Sequence, residues 1–231
     1  LSKLVSRFAE NAFWLARYVE RAENLARIIE INKTYTRDQS GALDWRRIPD
    51  LYADLPRFRE THDEVNEQTV LDFYALDRDN PTSIRSTISS ARENARAIRH
   101  LISTEMWTQL NIFHNTCRAW TRRDIDLYNV WRLCQTVTLN CQAFEGIAEG
   151  TFLRSEAWTF YQLGKHIERA DQTTRILDIG YDRLTLAKGD AVGSVYWNAL
   201  LRSVSGYHAY RHRHPVDSSP DDIARFLLYD R

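Results

Sequence analysis

Helix-breaking residues are nearly missing from the middle of this chain. No proline lies between Pro81 and Pro215, and no glycine between Gly41 and Gly146. Such a stretch is poorly suited to short strands and tight turns, so long helices are expected. Cysteine is scarce too. Cys117, Cys134 and Cys141 are an odd and low count for 231 residues, which argues against a disulfide framework and for a reducing compartment. Net charge is absent: 31 Lys+Arg balance 31 Asp+Glu, so nothing in the total points to nucleic acid or an anionic membrane. No apolar run approaches the roughly 18 residues that a membrane span needs. Arg7, Glu10 and Arg17 interrupt any signal-peptide core. The expectation is a cytoplasmic protein without nucleic-acid or membrane partners. Gly-rich phosphate loops, Gly-x-Ser-x-Gly elbows and Cys-His arrangements are likewise not legible.

What is present is apolar spacing of three and four. Phe8, Ala12, Leu15, Val19, Ala22, Ala26 and Ile29 form one unbroken seam. Ile84, Ile88, Ala91, Ala95, Ile98 and Ile102 form a second, within a helix expected over 81–111. Asn80-Pro81 suits its start, because Asn caps and Pro fits the first turn. A third seam runs Leu127, Trp131, Cys134, Thr138, Cys141. A fourth runs Phe160, Leu163, Ile167, Ala170, Thr174, Leu177. Shorter helices are expected near 64–77, 191–213 and 220–229. The stretch 32–63, with Gly41, Pro49 and Pro56, reads as a connection with short helical turns. The fold class is therefore all-α, a multi-helix bundle.

The chain also repeats itself. FWLARYVERAENLARIIEI (13–31) aligns without a gap to YQLGKHIERADQTTRILDI (161–179), at an offset of 148 (168 minus 20). Leu15/Leu163, Glu20/Glu168, Arg21/Arg169, Ala22/Ala170, Arg27/Arg175, Ile28/Ile176 and Ile31/Ile179 are identical pairs. Further on, Val70, Phe73, Asp77 and Arg78 correspond to Ile223, Phe226, Asp230 and Arg231 at an offset of 153 (230 minus 77). Trp45 and Trp197 fall in the same relative place. The expectation is one domain, 1–231, with an internal duplication of an N-terminal half (about 1–111) and a C-terminal half (about 150–231). The second half lacks a counterpart of the long helix, so a further helix is expected after Arg231.

Beside its seam, each repeat carries a stripe of charge. Phe13, Ala16, Glu20, Glu23, Arg27 and Ile31 match Tyr161, Gly164, Glu168, Asp171, Arg175 and Ile179 in kind at every position. Trp14, Tyr18, Leu25 and Ile28 make other faces of the first helix partly apolar, so that helix should be central and its charges paired. Two readings stand. In one, Glu20 and Arg27, with Glu168 and Arg175, form ion pairs between helices and fix the register of the halves. The Glu23/Arg27 and Asp171/Arg175 spacings are also supportive pairs within one helix. In the other, the stripes surround a polar pocket for a carboxylate or phosphate, with room left by Ala16 and Gly164. Glu93, Asn94 and Arg96 could line the same layer, or form a solvated face. Arg21 and Arg169 point about 100° away from Glu20 and Glu168, toward another helix or the surface. No metal is expected. His208 and His212 have ligand spacing, but Arg211 and Arg213 interleave them. Glu-x-x-His pairs of di-iron bundles are missing.

These residues resemble the alpha-E family, helical bacterial proteins named for a recurrent Glu-Arg motif. The resemblance rests on LSKLVSRFAENAFWLARYVERAENLAR, NPTSIRSTISSARENARAIR with STEMWTQLN, and FYQLGKHIERADQTTRILD. Glu20-Arg21 and Glu168-Arg169 match the naming motif. Lys3 and Lys165-His166 depart from it in detail, and family members continue past the position of Arg231. The resemblance implies partners more than chemistry: an ATP-grasp amide-bond-forming ligase, a transglutaminase-like protein and a proteasome-related peptidase. No catalytic residue carries over from it, and no cofactor is expected. The expected function is an accessory component of a peptide-modification or peptide-synthesis system that binds the ligase or its peptide substrate. The alternative is an enzyme or small-molecule receptor using the Glu/Arg-lined pocket.

Overall fold

A computed structural model describes residues 4–38, 45–125, 129–186, 197–198, 200–214 and 219–229. Among them every regular element is helical and none is a strand. Five long helices carry the architecture: α1 (Ser6–Asp38), α5 (Ile84–Ala97), α6 (Thr104–Ala119), α7 (Val130–Thr151) and α8 (Glu156–Leu186). Short helices fill the connections: α2 (Arg47–Leu51), α3 (Leu55–Arg59), α4 (Glu67–Leu71), α9 (Tyr207–Arg213) and α10 (Pro220–Tyr229). No described helix is long and apolar enough to cross a membrane.

Helix α1 is central, packing against α5, α7 and α8. Its seam explains why: Ala12, Leu15, Val19, Ala22, Ala26 and Ile29 are all buried, and so is Ala16 on the neighbouring face. Helices α5, α6 and α7 close a four-helix bundle around that seam in alternating directions. The Arg92–Asn111 and Arg85–Cys117 bonds join α5 to α6, and Gln109–Asn140 and Ser103–Thr151 join α6 to α7. In both sets residue numbers rise on one helix as they fall on the other, so each pair is antiparallel. Helix α8 behaves differently. Leu4 meets Glu156, and Arg17 and Arg21 meet Glu168, a near-constant separation along the chain, so α8 lies parallel to α1 outside the bundle.

Several boundaries differ from the sequence reading. The helix expected over 81–111 is two helices. Ser103 accepts a bond from the Met106 N–H and starts α6 afresh, after α5 ends at Ala97 with Ile98 as its C-cap. The apolar spacing ran on because Ile98 and Ile102 are buried on either side of the turn. Helix α1 runs to Asp38, into the stretch read as connection. The helix expected over 191–213 is interrupted before α9, where Ser205 adopts a left-handed φ of 60°. The third seam also shifts. Trp131 is exposed, and Val130, Leu133, Val137, Phe144 and Ala148 face the core beside Cys134 and Cys141. Leu127, the Ile179 side chain, Asp230 and Arg231 lie outside the described residues.

The largest difference concerns α8. Most of its apolar seam is not the buried face: Phe160, Leu163, Ile167, Ala170 and Thr174 are exposed, and Leu177 at the far end is buried. Part of its charged stripe is turned inward instead: Tyr161, Gly164 and Glu168 are buried, as is the neighbouring Gln172, while Asp171 is half-buried and Arg175 exposed. Gly164 marks the closest approach. A Cβ there would overlap the Phe13 carbonyl oxygen and lie 2.9 Å from its carbon. Replacing an interior helical Gly by Ala ordinarily stabilises by about 1 kcal/mol. Gly164→Ala is instead expected to destabilise by about 1–3 kcal/mol, since α1 and α8 must move apart. Gly146→Ala, whose Cβ would meet nothing within 4 Å, should show the ordinary gain. Urea titrations of the two variants should shift in opposite directions.

Candidate functional site

The α1–α8 face buries charges that must be paired or lose their hydration without compensation. The pairing is reciprocal. Arg21 donates to both oxygens of Glu168, at 2.7 and 2.9 Å. Arg169 donates to both oxygens of Glu20, at 2.9 Å each. Each Glu-Arg dipeptide therefore reaches across to the other, with the two-pronged geometry that suits guanidinium and carboxylate. Amides extend the arrangement on both sides. Gln172 donates to Glu168 at 3.2 Å, and Asn24 to Glu20 at 3.5 Å. Both lie four residues after their glutamate, the spacing that stacks side chains on one helical face.

The clasp is not symmetric in strength. Glu168 is 0% exposed and takes a second cation, Arg17, at 2.7 Å. The Arg17 guanidinium also lies over the Trp14 ring, 4.8 Å from its centroid. Burial pushes the Glu168 carboxyl upward, but hydrogen bonds and charge from Arg21 and Arg17 outweigh it and hold the group below its ordinary range. Burial likewise opposes the charge on Arg21, and Glu168 more than offsets it. On the other side Arg169 remains 53% exposed, and its bond to Glu20 raises its pKa. Lys165 turns away to Glu145 of α7, at 2.5 Å, and the buried Tyr161 hydroxyl donates to the same carboxylate. Tyr52, just after α2, donates to Gln172 at 3.2 Å and so props the Glu168 side. Burial is the main cause that pushes the Tyr52 phenol well up, so it stays protonated.

The residues singled out from the sequence separate into three groups. Glu20, Arg21, Glu168 and Arg169 come together as the clasp. Glu23 with Arg27 (2.5 Å), and Asp171 with Arg175 (3.1 Å), form the intrahelical pairs that their spacing predicts. Arg27 and Arg175 are thus not the cross-helix partners of Glu20 and Glu168; Arg169 and Arg21 hold those places. Glu93, Asn94 and Arg96 do not join the layer. Glu93 bonds Arg92 and Arg96 on the outer face of α5, and Asn94 donates back to the Ser90 carbonyl. The room expected beside Gly164 is filled by the α1 backbone at Phe13, and Ala16 is fully buried. His208 and His212 are both exposed. Arg17, Tyr52, Glu145 and Lys165 were not read from the sequence as members of the site. Asn24 and Gln172 carried a signal, sharing the offset of 148 (172 minus 24) and the amide chemistry.

A family model described as a predicted alpha-helical domain with a conserved ER motif matches residues 4–231. The chain belongs to the alpha-E family. The Glu-Arg dipeptides at 20–21 and 168–169 are the residues of the clasp. Similar proteins include uncharacterized proteins of Mycobacterium bovis, at 23% identity, and of Mycobacterium tuberculosis, at 23% and 22%, each over 97% of this chain. The chain spans only 27% of the length of these relatives. No solved structure matches it. Removing one partner of a buried pair strands the other charge, so Glu168→Ala in this alpha-E domain is expected to cost about 3 kcal/mol. Glu20→Ala should cost less, about 1 kcal/mol, because the half-exposed Arg169 returns to water. Since the folded Glu168 carboxyl is held down, its contribution is complete above its ordinary value of 4.5 and is lost as pH falls through the folded value. The stability gap between wild type and Glu168→Gln should therefore be constant near neutrality and narrow only below about pH 4.5. Denaturation of both proteins across pH checks this, and a gap that widens in acid would contradict it.

Proposed function

We propose that the chain is an accessory helical component of an ATP-grasp-associated peptide-modification or peptide-synthesis system, binding the ligase or its peptide substrate in the bacterial cytoplasm. The observation that carries this reading is that the Glu-Arg motifs answer each other. Their charges are used to join α1 to α8, and the space beside Gly164 holds backbone, so the motif serves architecture and the task falls to the surface. Buried free thiols at Cys117, Cys134 and Cys141 suit a reducing compartment. The ligase association comes from the family resemblance, and a transglutaminase-like protein and a proteasome-related peptidase stand beside it as further partners.

The reading includes the internal duplication. Features at matching offsets support it. The Glu-Arg pairs reciprocate, and Asn24 and Gln172 repeat the same bond. Asn66 and Thr69 form a reciprocal capping box at the start of α4. Ser219 and Asp222 form another at the start of α10, at the offset of 153 (219 minus 66). Trp45 and Trp197 are both buried.

Light scattering on a size-exclusion column tests the partner. The chain mixed with the ATP-grasp ligase encoded beside it should elute as one species of summed mass. Separate elution of two folded proteins at micromolar concentration would remove the ligase from the proposal.

A further inference from the structure

The charge balance of the whole chain conceals a local imbalance. From Ala191 to Val216 there is no Asp or Glu, and Arg202, His208, Arg211, His212, Arg213 and His214 all fall inside that stretch. The fold gathers two of these cations on one aromatic ring. The helical turn at 200–203 ends where Ser205 takes its left-handed φ of 60°. There the Ser205 N–H bonds the Arg202 carbonyl at 3.1 Å, and the Gly206 N–H bonds the Leu201 carbonyl at 2.7 Å. That reversal brings α9 back beside the turn it follows. Tyr207 and Arg211 are four apart on α9 and share a face. The guanidinium carbon of Arg202 stands 4.7 Å from the centre of the Tyr207 ring, and that of Arg211 5.8 Å from it. Arg211 also donates to the Asn198 side chain at 3.0 Å, which fixes its direction. Hydrogen bonding from Arg202 and Arg211 pulls the Tyr207 phenol below its ordinary range, which makes the hydroxyl a stronger donor.

One arginine over a tyrosine is ordinary surface packing. Two on the same ring repel each other and call for a counter-charge. Among the described residues neither Arg202 nor Arg211 forms an ion pair. Asp222 of the adjoining α10 instead accepts from Ser219. We propose that Arg202, Arg211 and the Tyr207 hydroxyl form a binding site for the phosphate monoester group of a small molecule. Charge selects the ligand. A phosphate monoester carries about −1.5 to −2 near pH 7 and offers three acceptor oxygens, enough for both guanidiniums and the phenol. A carboxylate is matched by a single guanidinium fork and would leave the second cation unbalanced. The site lies away from the clasp, and the inference depends neither on the ligase nor on the repeat.

Calorimetric titration with glycerol 3-phosphate at low ionic strength tests it, with acetate as the comparison anion. Binding should be saturable, and acetate should bind at least about tenfold more weakly. Arg202→Gln and Arg211→Gln should each weaken the phosphate by about tenfold or more, the loss expected of one charged hydrogen bond. Arg132→Gln, at an exposed position on α7, should leave binding unchanged. Circular dichroism checks that each variant is folded. Arg202 is exposed, so its variant decides the matter if Arg211→Gln, which loses the bond to Asn198, does not fold. Acetate binding as tightly as the phosphate ester would overturn the proposal. An equal loss in Arg132→Gln would also overturn it, since the attraction would then be that of the whole surface. So would an Arg202→Gln variant that binds like the wild type, or a wild type that takes up inorganic phosphate but not the ester. No ligase is present, so this result and the partner reading fail separately.

Discussion

Two glutamates and two arginines held across a pair of parallel helices set the rest of this structure. Parallel neighbours gain nothing from opposed helix dipoles, and the α1–α8 face lacks a continuous apolar seam on the α8 side. What joins them is the bidentate exchange between residues 20–21 and 168–169, with Gly164 letting the backbones come close enough for it. Once α8 is fixed by its charged stripe, its apolar face must point elsewhere, and the exposed seam follows. The four-helix bundle is thus ordinary hydrophobic packing around α1, and the attachment of α8 is a polar device placed on its flank.

The asymmetry of the clasp has a local cause. Arg17 joins Glu168, while Lys165, at the matching offset, is drawn off by Glu145 of α7. Helix α7 packs beside one member of the parallel pair, supplying a competing carboxylate there. Glu168 consequently sits deeper, with two cations and the Tyr52–Gln172 support, and Arg169 is left half in water.

Much of this was legible in the sequence. Spacing located α1, α7 and α8, and the offset of 148 singled out the four residues of the clasp together with its flanking pairs. Centrality of α1 was legible from apolar residues on several faces. What failed is instructive. A wheel drawn on one helix says that residues 20 and 21 diverge, and they do, but it holds no record of where the second helix lies. Arg21 reaches Glu168 because an arginine stem is long enough to bridge the flank of α8. Periodicity likewise names the apolar face of α8 without saying what covers it. The turn between α5 and α6 was masked because buried isoleucines on both sides preserve the spacing, although Ser103 before Thr104-Glu105-Met106 was a readable cap.

The separation between the clasp's two sides has a consequence for the ribosome's order of work. Helix α1 emerges before α5, α6 and α7, which can fold against it as they follow. The face with Arg17, Glu20 and Arg21 must wait until residues 168 and 169 have been made. During that interval its charges remain hydrated, and a hydrated face resists premature association with other nascent chains. An apolar seam in the same place would have been a sticky edge for the whole of that delay.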